Sequence, residues 1–263
     1  SAMVVTIASD NISWELLPED FVLDDEPVDN VNQPPLAAAL TESLELAGQL
    51  PESALTTSNY GLCSTFEGKF VIKAPDWAYI PQITVARSEI KRSYTPYRQG
   101  DIPLIVIEFL SDTEGGEYST QQTYPPGKWF FYEQIVQVSN YLIFEPDSGT
   151  LEVYRLDEQE GYKVQPLDEN NRFWLPEMNL YIGVWLGKRE NRDGYWLRWW
   201  DRQGNLLLWG SELVQQEREA KERERQAKEE EREAKEKERE AKEAALQRLS
   251  ELEKRLRDAG LEP

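Results

Sequence analysis

The sequence contains no histidine at all. That removes imidazole general bases, Ser-His-Asp triads and His-ligated zinc together. Cysteine is nearly absent too. Cys63 stands alone, so there is no internal disulfide and no cysteine-rich metal site. A single thiol suits a reducing compartment, and the chain reads as cytoplasmic. Long apolar runs are missing. Runs such as LIVI at 104–107 are far too short to cross a bilayer. The opening SAMVVTIASD has no basic n-region and does not read as a secretory signal. Positive charge is missing from residues 1–68, which hold no Lys or Arg. Any catalysis must therefore run on carboxylates, Lys, Tyr, Ser or the one Cys.

What is present is acid. The net charge is −20 over 263 residues. Beyond residue 210 lie 14 of the 29 basic and 17 of the 49 acidic residues, which leaves the body with 15 and 32, a net −17. Such a body argues against loose affinity for nucleic acid, which comes from neutralising phosphates. One local exception is Arg87, Lys91, Arg92 and Arg98, which read either as a solvated face or as a phosphate-contacting patch.

Three segments emerge. Residues 1–16 form an N-terminal extension, in which Ser1-Ala2 ahead of Met3 looks like an expression scar. Residues 17–210 form one domain. Residues 211–263 form a charged helical or weakly coiled-coil tail, with AKERERQ, AKEEERE, AKEKERE and AKEAALQ repeating every seven residues. One alanine per heptad is a poor seam. From Leu246 the pattern strengthens through Leu249, Leu252 and Leu256, and Gly260 is placed to end the helix. This tail could pair with itself, giving a homodimer, or bind a protein partner.

Within the domain, LAAALTESLELAGQL (36–50) predicts a helix, with Pro35 in its first turn and Gly48 near its end. Glu67-Gly68 predicts a turn between two strands. VIKAPDWAYI (71–80) reads as one strand carrying Asp76 near its end. IPLIVIEFLSD (102–112) is the strongest strand. Its alternation sets Ile105, Ile107 and Phe109 on one face, and Val106, Glu108 and Leu110 on the other. KWFFYEQIVQ (128–137) reads as a short helix, and NYLIFEP, GTLEVYRL and GYKVQPLD as strands. Six of the nine tryptophans fall between 172 and 209, in a β-rich stretch with hairpin signals at Asp193-Gly194 and Gln203-Gly204-Asn205. Packing accounts for these aromatics better than a base-stacking platform does.

Glu108 is the anomaly, because a carboxylate between Val106 and Leu110 is costly unless paired or bound to metal. Neighbouring strands could bring Asp76 and Glu108 to one cation, and hard oxygen donors select Mg²⁺, Mn²⁺ or Ca²⁺. An ion pair with Lys73 explains Asp76 equally well.

The order of motifs, KAPDW, PLIVIEFLS, GKWFFYEQ, then NYLIFEPDSGTLEVYRL, resembles the Uma2-type (DUF820) proteins. These are common in cyanobacteria and are classed with the PD-(D/E)XK restriction-endonuclease-like fold. The resemblance covers most of 17–209, and the tail closing on LRDAGLEP is similar as well. It implies an α/β fold (α+β mixed) with a restriction-endonuclease-like mixed β-sheet core, flanking helices and a long charged C-terminal helix. It also implies a metal-dependent endonuclease that hydrolyses DNA phosphodiesters with Mg²⁺ (Mn²⁺ as substitute). Asp76 and Glu108 would be metal ligands, with the backbone carbonyl of Phe109 beside them. The lysine of the fold's motif would stand at 110, where this chain has Leu110; Lys128, heading the following helix, takes its place. Where the family often has a further Glu this chain has Val22, for which Glu26 or Asp25 substitutes or nothing does; Glu114 and Glu117 lie in the loop after Glu108. Gln33, before the first helix, reads either as pointing toward the site or as a helix-capping residue, and capping accounts for it better. The alternative is a catalytically inactive member acting as an interaction or oligomerisation protein through its C-terminal helix.

Overall fold

The computed structural model describes residues 11–23, 31–110 and 126–261. The chain divides into two units, Ser1–Trp209 and Gly210–Pro263.

The first unit is built on a six-stranded mixed sheet in the order β10-β9-β8-β7-β5-β2. Its strands are β2 (Leu55–Ser58), β5 (Trp77–Ile80), β7 (Ile105–Phe109), β8 (Asn140–Glu145), β9 (Thr150–Asp157) and β10 (Gly161–Gln165). Among the described strands of this sheet only β7 and β8 pair parallel, and the crossover between them carries helix α2 (Lys128–Phe130). The expected faces of β7 appear as read. Ile105, Ile107 and Phe109 enter one apolar core and Val106 the other.

On the first face, α1 (Gln33–Leu46) lays down Leu36, Ala37, Ala39, Leu40 and Leu44. Pro34 and Pro35 open it, where a missing N–H costs nothing. Gly48, at φ +70, closes it as Gln49 N–H donates back to the Leu44 carbonyl. The same core takes in a three-stranded sheet, β11 (Arg172–Leu175), β12 (Leu180–Arg189) and β13 (Arg192–Trp200). The tryptophans here are packing residues. Trp199 and Trp209 are buried and donate their indole N–H groups to the Leu40 and Ala39 carbonyls of α1.

The second face is covered by a small sheet of β1 (Ile12–Ser13), β3 (Gly61–Phe66), β4 (Lys69–Lys73) and β6 (Ser93–Tyr94), together with the helical segment after Lys128. Glu67-Gly68 makes the β3–β4 turn, with positive φ at both residues as a type I′ turn requires.

Three local expectations are corrected. VIKAPDWAYI is not one strand. β4 ends at Lys73, Ala74-Pro75-Asp76 crosses between sheets, and β5 starts at Trp77. Proline has no N–H to give a ladder, so the chain leaves one sheet there and enters the other. Asp76 therefore precedes a strand instead of ending one. Asp193-Gly194 is not a turn but part of β13. The β12–β13 turn falls at Glu190-Asn191, both at positive φ, and the pairing of Lys188 with Asp193 and Gly187 with Gly194 sets that register. Finally, 128–137 is α-helical only over α2 (Lys128–Phe130). Phe131–Val136 widens into a π-helix and stops at Gln137 in the left-handed region.

The second unit is one helix, α3 (Gly210–Asp258), with no buried residue.

No described helix is long and apolar enough to cross a membrane.

Candidate active site

Three elements converge at one end of β7. β5 and β7 pair antiparallel, with Trp77 opposite Ile107. One step further in that register, Asp76 falls opposite Glu108. Asp76 Oδ2 accepts the Phe109 amide hydrogen at 2.6 Å. The third element is the helical segment after β7, which lies over the face carrying Glu108.

Glu108 is only 1% exposed, yet both its oxygens are engaged. Oε2 lies 3.0 Å from Lys128 Nζ, and Oε1 accepts the Tyr132 hydroxyl at 2.7 Å. Lys128 also donates to the Ala74 carbonyl, in the Ala74-Pro75-Asp76 crossing. Lys128 and Tyr132 are four residues apart, so one helical turn brings both to the same carboxylate.

Burial dominates the electrostatics of Glu108. Burial pushes the Glu108 carboxyl up to about 8, opposed by the Lys128 charge and reinforced by the neighbouring Asp76 charge. Burial and the charge of Glu108 also hold the Tyr132 phenol well above its ordinary value, which keeps it a donor.

The donor set fits a hard divalent cation. It comprises two carboxylates and, next to Glu108, the Phe109 carbonyl. Glu108, buried and with its carboxyl pushed up chiefly by that burial, is the observation the fit rests on, since a bound cation would favour its charged form. Among the described residues, no group of three or more His, Cys, Asp or Glu is gathered for metal binding. Glu26 and Asp25, Glu114 and Glu117 lie outside the described residues.

For Gln33 the less favoured of the two readings holds, and the role of Tyr132 was missed. Gln33 caps no helix. The N-cap position is Asn32, without a side-chain cap, and Gln33 Nε2 reaches the Phe109 carbonyl at 3.4 Å. Tyr132 stood in the quoted motif but had no role assigned; its spacing from Lys128 was the available signal. The basic cluster resolves in part. Arg92 ties down the N-terminal segment by donating to the carbonyls of Pro18, Glu19 and Phe21, a structural clamp, while Arg87, Lys91 and Arg98 are exposed.

A pair of acids on adjacent strand ends, with a lysine brought in from the next helix, is an arrangement suited to phosphoryl chemistry. Residues 32–188 match the sequence model of the Uma2 family, described as "Putative restriction endonuclease". The chain belongs to the Uma2 family. Among solved structures, it is similar to "a putative nuclease belonging to DUF820" from Anabaena variabilis ATCC 29413. Identity is 18%, the match covers 56% of this chain and 70% of that one, and the TM-score is 0.31. No curated protein matches the chain.

Proposed function

We propose that this chain is a metal-dependent endonuclease that hydrolyses phosphodiester bonds of DNA at the Asp76–Glu108–Lys128 site. The catalytic domain would span 17–210, with 211–263 a separate helical tail, and the protein would act in the cytoplasm. The observation that carries the reading is the contact of Lys128 Nζ with Glu108 Oε2 at 3.0 Å. The lysine that the fold's motif would place at 110 arrives from a different element at the same carboxylate.

Asp76, Glu108 and the Phe109 carbonyl would hold Mg²⁺, or Mn²⁺ in its place. Bound there, the ion would supply a water of lowered pKa and neutralise charge building on the phosphate. The protein's own contribution is positioning. Asp76 is anchored by the Phe109 amide, so its carboxylate is fixed relative to Glu108. Tyr132 holds one oxygen of Glu108 and Lys128 the other. A fixed ammonium beside the attacked phosphate stabilises negative charge as it develops and needs no rearrangement during the reaction. The body is too acidic to hold DNA by bulk attraction, so binding must be local. Exposed Arg87, Lys91 and Arg98 are the candidates for such contacts.

The test is cleavage of supercoiled, linear and single-stranded DNA with Mg²⁺, Mn²⁺ or chelator, by the wild type and by Asp76→Ala. The reading expects metal-dependent cleavage that the variant loses. Equal cleavage by both would remove Asp76 from the site, and no cleavage of any substrate would favour the inactive alternative.

A further inference from the structure

We infer that the end of α3 is a self-pairing segment, through which two copies of this chain join in parallel along Ala245, Leu249, Leu252 and Leu256. The inference does not rest on the nuclease reading.

The helix has two regimes. Over its first part, Glu217–Lys221, Glu224–Lys228, Glu231–Lys235 and Glu238–Lys242 pair at i,i+4. Glu222–Arg225, Glu229–Arg232 and Glu236–Arg239 pair at i,i+3. Each series recurs every seven residues, so this stretch is held by its own side chains and needs no partner. Beginning at Ala245, apolar residues step by four, three and four to Leu256, and Ala259 follows at three. That is the alternation of a coiled-coil seam. Leu249 and Leu252 are each 55% exposed and Leu256 39%.

Extending the seam towards the N-terminus shows why pairing is confined to the end. The equivalent positions become Lys242, Lys235, Lys228 and Lys221, alternating with Glu238, Glu231, Glu224 and Glu217. These are the residues of the i,i+4 pairs. A second helix laid along them would set lysine against lysine at the closest positions.

The charges beside the apolar seam select the occupant and its direction. Arg248 flanks Leu249, and Glu253 flanks Leu252. In a parallel pair, the residue before one seam position meets the partner's residue five places further on. Arg248 and Glu253 are five apart, so the symmetric pair makes this attraction twice. An antiparallel pair would instead set Arg248 against Arg255. The seam starts 35 residues into a helix of 49, about 50 Å along its roughly 73 Å length.

Sedimentation equilibrium of the full chain tests this across a wide concentration range. The mass should climb from 30.5 kDa towards twice that value. Leu252→Lys should stay at one chain throughout, with its helical circular dichroism retained. Arg248→Glu should weaken association several-fold, and adding Glu253→Arg to it should restore it. A single chain at every concentration would overturn the inference, as would a dimer that survives Leu252→Lys. Three or more chains per particle, or a double exchange that fails to restore pairing, would overturn the parallel two-chain arrangement.

Discussion

Asp76, just ahead of β5, and Phe109, at the end of the neighbouring β7, are joined by a 2.6 Å hydrogen bond from the Phe109 amide to the Asp76 carboxylate. The bond uses one carboxylate oxygen as a structural acceptor and fixes the other in direction. Asp76→Asn keeps an oxygen acceptor for that amide but removes the charge. Its thermal midpoint should stay near wild type, while Mn²⁺ binding by calorimetry and DNA cleavage both fall by about a hundredfold or more. Unchanged Mn²⁺ affinity in this variant would take Asp76 out of the ligand set.

Lys128 approaches Glu108 from twenty residues further along the chain. Lys128→Met leaves a buried carboxylate without its cation, which costs about 3–5 kcal/mol if the charge is kept. The expected outcome is a less stable protein and cleavage lowered by about 10²–10³-fold. Lys128→Arg should recover stability better than activity, because a planar guanidinium does not reproduce a compact ammonium. Denaturation midpoints and single-turnover rates measure the two effects separately.

Glu108 makes the metal-free protein sensitive to base. Its folded-state pKa, about 8, lies above its ordinary 4.5. Folding therefore favours the protonated form, and this contribution to stability is complete below about 4.5 and is lost as pH rises through about 8. Glu108→Gln removes that dependence. In chelator, urea midpoints of the wild type should decline between pH 5 and pH 9 more steeply than those of Glu108→Gln. Parallel curves would contradict the assignment.

Tyr132→Phe removes one donor from Glu108 and changes little else in volume. A carboxylate that loses a hydrogen bond to its charged form becomes harder to ionise. Metal binding should then weaken at neutral pH and recover as pH is raised. A loss of affinity that is equal at every pH would indicate misplacement of Glu108 instead.

Gly149 closes the β8–β9 turn at φ +74, and a Cβ there would lie 2.7 Å from the Tyr195 ring. Gly149→Ala is strained in the backbone and crowded against a rigid side chain, so a destabilisation of about 1–3 kcal/mol is expected. Gly48, also at positive φ, has nothing within 4 Å of such a Cβ. Gly48→Ala should therefore cost less, and urea denaturation of the two variants ranks them.

The sequence by itself determined what periodicity and local chemistry can carry. The faces of β7 follow from strict alternation, and the ends of α1 from Pro34-Pro35 and Gly48. The Glu67-Gly68 turn needs no tertiary help. Glu108 was visible because a carboxylate in an apolar strand violates the local pattern. The charged heptads of α3 were visible because they repeat.

Tertiary structure decided the rest, since those outcomes depend on which element lies against which. VIKAPDWAYI looks like one strand because both halves are apolar, and only the separation of β4 from β5 into different sheets shows Pro75 as a crossing point. The Glu190-Asn191 turn was set by the pairing register of β12 and β13, which outweighed the local preference of Asp193-Gly194. Gln33 and Phe109 are 76 residues apart, and no local pattern could join them. Glu108 owes its raised pKa to burial beneath a helix the chain makes twenty residues later, a cost that exists only once the sheet is covered.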